Sequence, residues 1–181
     1  MIISLWFKII IVNNLIKDFL DLAKMDNGNL KNVYESIDLS KQVEKSVLTL
    51  ESLMFEKNIK LEYDIDKNVY FNCNSDEIKQ LIAILLDNAI KHSSKDGNII
   101  ANLKKNNDKI VIQIINKGEG IPKGEEEKIF ERFYRVDEAR NRDSNHYGLG
   151  LSIAKSIVNN HNGEIKVSSK DSLTTFKVIF K

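Results

Sequence analysis

From residue 38 to the C-terminus the apolar residues switch repeatedly between a helical and a strand period, and this switching narrows the fold more than any other feature. Val43, Val47, Leu50, Leu53 and Met54 recur every three to four residues, the spacing of one helix face. Asp38 or Ser40 is placed to cap that helix, which is expected to run to about Lys57. Ile59, Leu61, Tyr63 and Ile65 then alternate as a half-buried strand does, with Val69-Tyr70-Phe71 as its expected short partner. Ile78, Ile82, Leu85 and Ala89 restore the helical period behind a cap at Asn74 or Ser75, with Glu77 favoured in the first turn by the helix dipole. Residues 98–104 and 109–115 alternate again around a polar turn. A helix is expected from Gly148 to about Asn159, and strands over 164–168 and 173–180 follow the Asn162-Gly163 turn. Helices interleaved with mostly antiparallel strands predict an α+β chain. Its form is a two-layer α/β sandwich whose mixed, mainly antiparallel sheet carries helices on one face. An N-terminal helix over about residues 5–24 precedes it, with Ile9, Val12, Ile16, Phe19, Leu20 and Ala23 on one side.

Composition excludes several classes of function. The 181 residues are 42% hydrophobic and 29% charged, a globular balance, and the net charge of +1 offers no bulk attraction to nucleic acid. Cys73 is the only cysteine, so there is no internal disulfide framework and a reducing compartment fits. The three histidines and Cys73 lack metal-ligand spacing, which argues against zinc. Residues 2–12 are apolar apart from Ser4 and Lys8, yet shorter than the ~20 residues that span a bilayer. No signal-peptide pattern flanks them. A cytoplasmic location is expected, with any membrane anchor of a longer parent lying upstream.

Four short stretches can carry chemistry. On a helix Glu77, Ile84, Asn88, Lys91 and His92 share a stripe beside the apolar face, which sets Asn88 at the border between core and cleft. A neutral carbonyl there can ligate Mg²⁺ without repelling phosphate, and Lys91 can pair with a phosphate oxygen. An ordinary amphipathic helix with a polar edge has the same pattern. Gly118 and Gly120 follow directly on the strand of Ile110, Ile112 and Ile114; glycines there permit positive φ and close approach of a flat ligand, or simply turn the chain. Asn116 just before them can recognise an adenine amino group or close an Asx-turn. Gly148-Leu149-Gly150-Leu151 opens a helix whose N–H groups form an anion site. It is neither a dinucleotide fingerprint nor a phosphate loop, because Ile153 replaces the third glycine and no Gly-Lys-Ser/Thr follows. Between the glycine pairs, residues 123–128 and 136–145 are charged and polar. Phe130, Phe133 and Tyr134 serve as hydrophobic pins, and Arg132, Arg135, Arg140 and Arg142 lie on what is either a solvated loop or a lid.

Taken in order, these stretches resemble the ATP-binding catalytic domain of sensor histidine kinases, in the superfamily shared with gyrase and mismatch-repair ATPases. Residues 85–92 are similar to the asparagine box, 116–121 to the first glycine box, 129–135 to the phenylalanine box and 148–151 to the second glycine box. The resemblance implies residues 1–30 as the end of a dimerisation hairpin, its second helix only, and 36–181 as the catalytic domain. It implies ATP and Mg²⁺ as ligands, with Asn88 on the metal. Lys91, His92, Asn116, Gly118, Gly120, Ile121, Phe133, Tyr134, Tyr147, Gly148, Leu149, Gly150 and Leu151 would surround the nucleotide. Arg132 or Arg135 would neutralise the transferred phosphoryl group. Residues 123–147 are expected to be poorly ordered until nucleotide binds. Implied partners are a phosphoacceptor histidine hairpin, a response regulator and a second copy joined through the N-terminal helix.

The chain departs from the family pattern at four places. Asn116 stands where the family usually has Asp, and Ile84 where a polar residue often precedes the magnesium ligand by one turn. Asn145-His146 replaces the usual glycine pair before the second glycine box. None of His92, His146 and His161 lies in a phosphoacceptor motif, so the chain is expected to be a fragment, a truncated frame or a kinase acting in trans. Asn116, Ile84 and the missing histidine motivate one rival, a nucleotide-binding scaffold without transfer activity. A second is a related protein-serine kinase of the anti-sigma-factor type, against which the dimerisation-helix remnant and the arginine-rich aromatic box count.

Overall fold

The computed structural model describes Ile16, Leu20 and residues 33–136 and 148–181. Strand β1 (Glu35–Asp38) leads into helix α1 (Leu39–Glu56), followed by β2 (Lys60–Ile65), β3 (Tyr70–Cys73) and helix α2 (Ser75–His92). The hairpin β4 (Asn98–Asn106) and β5 (Lys109–Lys117), a 3₁₀ turn over Lys128–Phe130, helix α3 (Gly150–Asn160), and strands β6 (Glu164–Lys170) and β7 (Leu173–Phe180) complete the order. Five strands form the main sheet in the order β2-β4-β5-β7-β6, with β2 parallel to β4 and every other pair antiparallel. This is the mixed, mainly antiparallel sheet expected from the sequence.

The period of each element sets what it buries. Alternate residues Ile99, Ala101 and Leu103 on β4, Ile110, Ile112 and Ile114 on β5, and Phe176, Val178 and Phe180 on β7 line one side of the sheet. Against them α2 buries Ile78, Leu81, Ile82, Leu85, Leu86, Ala89 and Ile90, and α3 buries Ile153, Ala154, Ile157 and Val158. Each such large side chain withdrawn from water contributes about 2 kcal/mol. Asp38 caps α1 by accepting from Lys41 N at 3.2 Å, and Asn74 caps α2 by accepting from Asp76 N and Glu77 N at 3.0 and 3.1 Å. Cys73 is buried, and that burial, with Glu35 second, pushes its thiol pKa up to about 11. It is a packing residue.

One expected pairing is overturned. β3 does not pair with β2; it forms a separate two-stranded sheet with β1, in the register Glu35↔Cys73 to Asp38↔Tyr70. Ser40 explains the detour, because its hydroxyl donates to Asp66 O at 2.7 Å and accepts from Val69 N at 3.0 Å. Val69 O in turn accepts from Leu39 N at 2.8 Å, so the chain leaving β2 is drawn to the start of α1. β1 escapes detection because its four residues hold one aliphatic side chain, Ile37, and no visible alternation. Of the expected N-terminal helix only Ile16 and Leu20 are described; both are helical and about half exposed, and the rest lies outside the described residues. Among the described residues no helix is long and apolar enough to cross a membrane.

Candidate nucleotide site

The rotation of α2 fixes the first wall. With Leu85, Leu86, Ala89 and Ile90 driven into the core, Ile84 and Asn88 fall half-buried on the border, one turn apart. Lys91 pairs with Asp87 one turn back. The His92 ring is held below its usual pKa, first by desolvation and then by the Lys91 ammonium, so it is neutral at pH 7. Glu77, assigned by sequence to the same stripe, lies at the far end of the helix and belongs to a different environment. There it faces His161, whose Nδ1 is 3.6 Å from its carboxylate.

The end of α2 is stitched to the end of β5. Ser93 bridges Gly118, Ser94 N donates to Lys117 O at 2.8 Å, and Gly97 N donates to Ser94 O at 3.0 Å. A Cβ on Gly118 would stand 1.9 Å from His92 O, so no side chain fits there. This corrects the sequence reading of that glycine: its constraint is contact with backbone, and only Gly120 of the pair has positive φ, at 83°. Ile121 beyond it donates its N–H to Ser169 Oγ at 3.0 Å, holding the glycine turn on β6.

Asn116 continues the inward parity of Ile110, Ile112 and Ile114, so the strand delivers an amide where its pattern would deliver another aliphatic group. The residue is 1% exposed, and neither Oδ1 nor Nδ2 has a hydrogen-bond partner in the protein. That excludes the Asx-turn. Leaving such a group unpaired costs about 1–3 kcal/mol, which a polar, flat ligand would recover. Directly across the β5–β7 pair sits Thr174, 5% exposed, with its hydroxyl 3.5 Å from Ser169 Oγ. Sequence reasoning passes over Thr174 and Ser169. The available signal is Thr174 sharing the inward parity of Phe176, Val178 and Phe180.

The second glycine pair lies against the same helix. α3 starts without a side-chain cap and with no acidic residue in its first turn, unlike α2. A helix start left in this way can receive an anion. Gly150 packs with its α-carbon side toward Ile84, where an added Cβ would lie 3.5 Å from Cγ2. The start of α3 therefore meets α2 one turn before Asn88. Gly148 has φ 71°, its O accepts from Phe133 N at 3.0 Å, and a Cβ there would stand 2.7 Å from Tyr134 O.

That contact joins the aromatic segment to the glycine pair. Ile129 and Phe130 anchor the segment, with the Phe130 ring edge-on to Phe176 at 6.3 Å and the Lys155 ammonium 5.7 Å from its centroid. Phe133 is not the pin it was expected to be: at φ 65° it is 58% exposed, whereas Tyr134, expected as a pin as well, packs on the core. Arg132, exposed, and Arg135, half-buried, flank these two aromatics. Of the stretch 123–147, residues 123–136 are placed; Tyr147, Arg140, Arg142, Asn145 and His146 lie outside the described residues. The described residues contain no cluster of three or more His, Cys, Asp or Glu for a metal ion.

Comparison with known proteins matches this arrangement. The family model for Histidine kinase-, DNA gyrase B-, and HSP90-like ATPases covers residues 73–181. The signal transduction histidine-protein kinase ArlS of Staphylococcus aureus is 33% identical over 170 residues, which is 92% of this chain and 37% of ArlS. The chain thus spans well under half the length of that relative. The histidine kinase AdeS of Acinetobacter baumannii shares the fold with a TM-score of 0.81 at 24% identity, over 98% of this chain and 82% of AdeS. Histidine kinase ThkA, in complex with the response regulator protein TrrA, gives a TM-score of 0.73 at 22% identity, over 94% of this chain and 49% of ThkA. The chain belongs to the histidine kinase-, DNA gyrase B- and HSP90-like ATPase family.

Proposed function

We propose that residues 36–181 hold ATP with Mg²⁺ and transfer its γ-phosphoryl group to a histidine on a helical hairpin outside this domain, residues 1–30 being the end of that hairpin. The observation that carries this reading is the approach of Gly150 to Ile84, which brings the uncapped start of α3 to the helix bearing Asn88. The Asn116 amide, the Gly118–Gly120 turn and Ile121 are suited to the base. The N–H groups of Gly148–Leu151 and the Lys91 ammonium are suited to the phosphates. Asn88 Oδ1 would be the protein oxygen that holds Mg²⁺, whose charge would offset that of the phosphates. Arg132 or Arg135 supplies further positive charge where it develops during transfer. Little covalent help from the protein is needed, since positioning and charge neutralisation supply most of the rate. A response regulator is the proposed receiver of the phosphoryl group.

The test mixes the chain with γ-labelled ATP, Mg²⁺ and a separate intact histidine hairpin. Acid-labile label on the hairpin is the expected result. Nucleotide binding without transfer would favour the scaffold reading, motivated by Asn116 and Ile84. Acid-stable label would favour a serine kinase.

A further inference from the structure

No hydrogen bond within the protein fixes the orientation of the Asn116 amide. It is 1% exposed, and no protein group bonds to either Oδ1 or Nδ2, so nothing in the fold selects which atom points which way. The glycine and the threonine beside it do not select an orientation either. A Cβ on Gly118 would be 3.3 Å from Nδ2, and the cross-strand neighbour Thr174 carries a hydroxyl that both donates and accepts. A buried carboxylate could only accept here; an amide offers one acceptor beside one donor.

The six-membered edge of a purine offers the complementary pair in one of two orders. A 6-amino purine presents a donor at C6 beside the acceptor N1. A 6-oxo purine presents an acceptor at C6 beside the donor N1–H. An amide satisfies the first with Oδ1 toward C6 and the second after a half-turn about its terminal torsion, leaving no buried polar atom unpaired in either case. Discrimination between such bases arises when the wrong one strands a buried group, and here neither does.

We infer that this site accepts 6-oxo purine nucleoside triphosphates alongside 6-amino ones, with Asn116 as the residue that sets this breadth. The inference rests on the proposed reading that the base lies against Asn116. ITP is the cleanest probe, because it differs from ATP only at C6 and N1; GTP adds a 2-amino group that tests room as well.

Isothermal titration calorimetry of the whole chain with Mg²⁺ and ATP or ITP decides the matter without relying on turnover. The expected result is an ITP Kd within about tenfold of that for ATP, and an ATP preference raised at least about tenfold further in Asn116→Asp, whose carboxylate repels O6. A wild-type preference for ATP beyond about tenfold, or a ratio that Asn116→Asp leaves unmoved, overturns the inference while the nucleotide site stands. If neither nucleotide binds, the proposed function fails and the inference with it. Should Asn116→Asp not fold, the wild-type ratio alone decides: within about tenfold supports the inference, and beyond it overturns it.

Discussion

The two ends of α2 are built from similar residue types and finished in opposite ways. At the N-terminal end, Asn74 caps the helix and its own N–H donates to His161 Nε2 at 3.1 Å. The His161 ring gives its Nδ1 hydrogen to Ile157 O at 2.8 Å and lies among Tyr34, Phe71 and Phe180. Asn160 hydrogen-bonds the Glu77 carboxylate, of which only Oε2 is left without a partner. At the C-terminal end, Asn116 keeps both amide atoms unpaired beside Gly118 and His92. The neighbouring helix α3 begins uncapped against Ile84. The first end is closed by the protein's own partners. The second holds polar groups that the protein leaves unpaired. Replacing a polar side chain at the first end is expected to move stability and spare binding; replacing one at the second, the reverse.

The largest effect is expected at the seam that makes the second end. Gly118→Ala forces a methyl group into His92 O, a backbone atom that cannot step aside, and is expected to cost about 3 kcal/mol in chemical denaturation. A fold unchanged by this substitution would remove the clamp between α2 and β5. Next, His161→Ala strands the Asn74 N–H and empties an aromatic seat, lowering stability by about 2 kcal/mol with nucleotide affinity unaltered in the folded fraction. Asn88→Ala should invert that outcome. Affinity for Mg²⁺-ATP falls about tenfold or more, while the unfolding free energy without nucleotide stays within about 0.5 kcal/mol of wild type. Asn74→Ala removes a cap and is expected to cost about 1 kcal/mol.

The smallest effect is one of pH. Burial raises the Glu77 pKa above its ordinary 4.5, against the opposing pull of His161 and the Asn160 hydrogen bond. The folded chain therefore holds this proton more tightly than the unfolded one. Its contribution to stability is complete below pH 4.5 and is lost as pH rises through the raised value. Glu77→Gln removes that slope, so urea melts of the two proteins should draw apart as pH rises from 4.5. Parallel curves would place the carboxylate in water.

How much of this is readable in the residues follows from the range of the physics involved. The periods of Val43–Met54, Ile78–Ala89 and Ile110–Ile114 report burial on one face, and α1, α2 and β5 stand where those periods put them. The pairing of β3 is not readable, because it depends on Ser40 bonding Asp66 O and Val69 N, contacts of 26 and 29 residues' separation. Gly118 stands out for the wrong reason: a Gly-x-Gly after a strand suggests positive φ, whereas its constraint comes from His92 across the fold. Phe133 and Phe130 are the same residue type three positions apart, and only the turn at Phe133 decides which is buried. Thr174 and Ser169 need the β6–β7 register before they can be set beside Asn116.

The central claim is that Asn88, Asn116 and the start of α3 attend one and the same nucleotide. A ¹H–¹⁵N correlation titration with Mg²⁺-ATP follows the side-chain amides of Asn88 and Asn116 and the backbone amides of Gly148, Leu149, Gly150 and Leu151 in a single sample. All of them should shift along one saturation curve with one Kd, while the Asn74 side chain stays still. Shifts at Asn88 and Asn116 that leave the residues 148–151 unmoved, or that follow a different Kd, would contradict it.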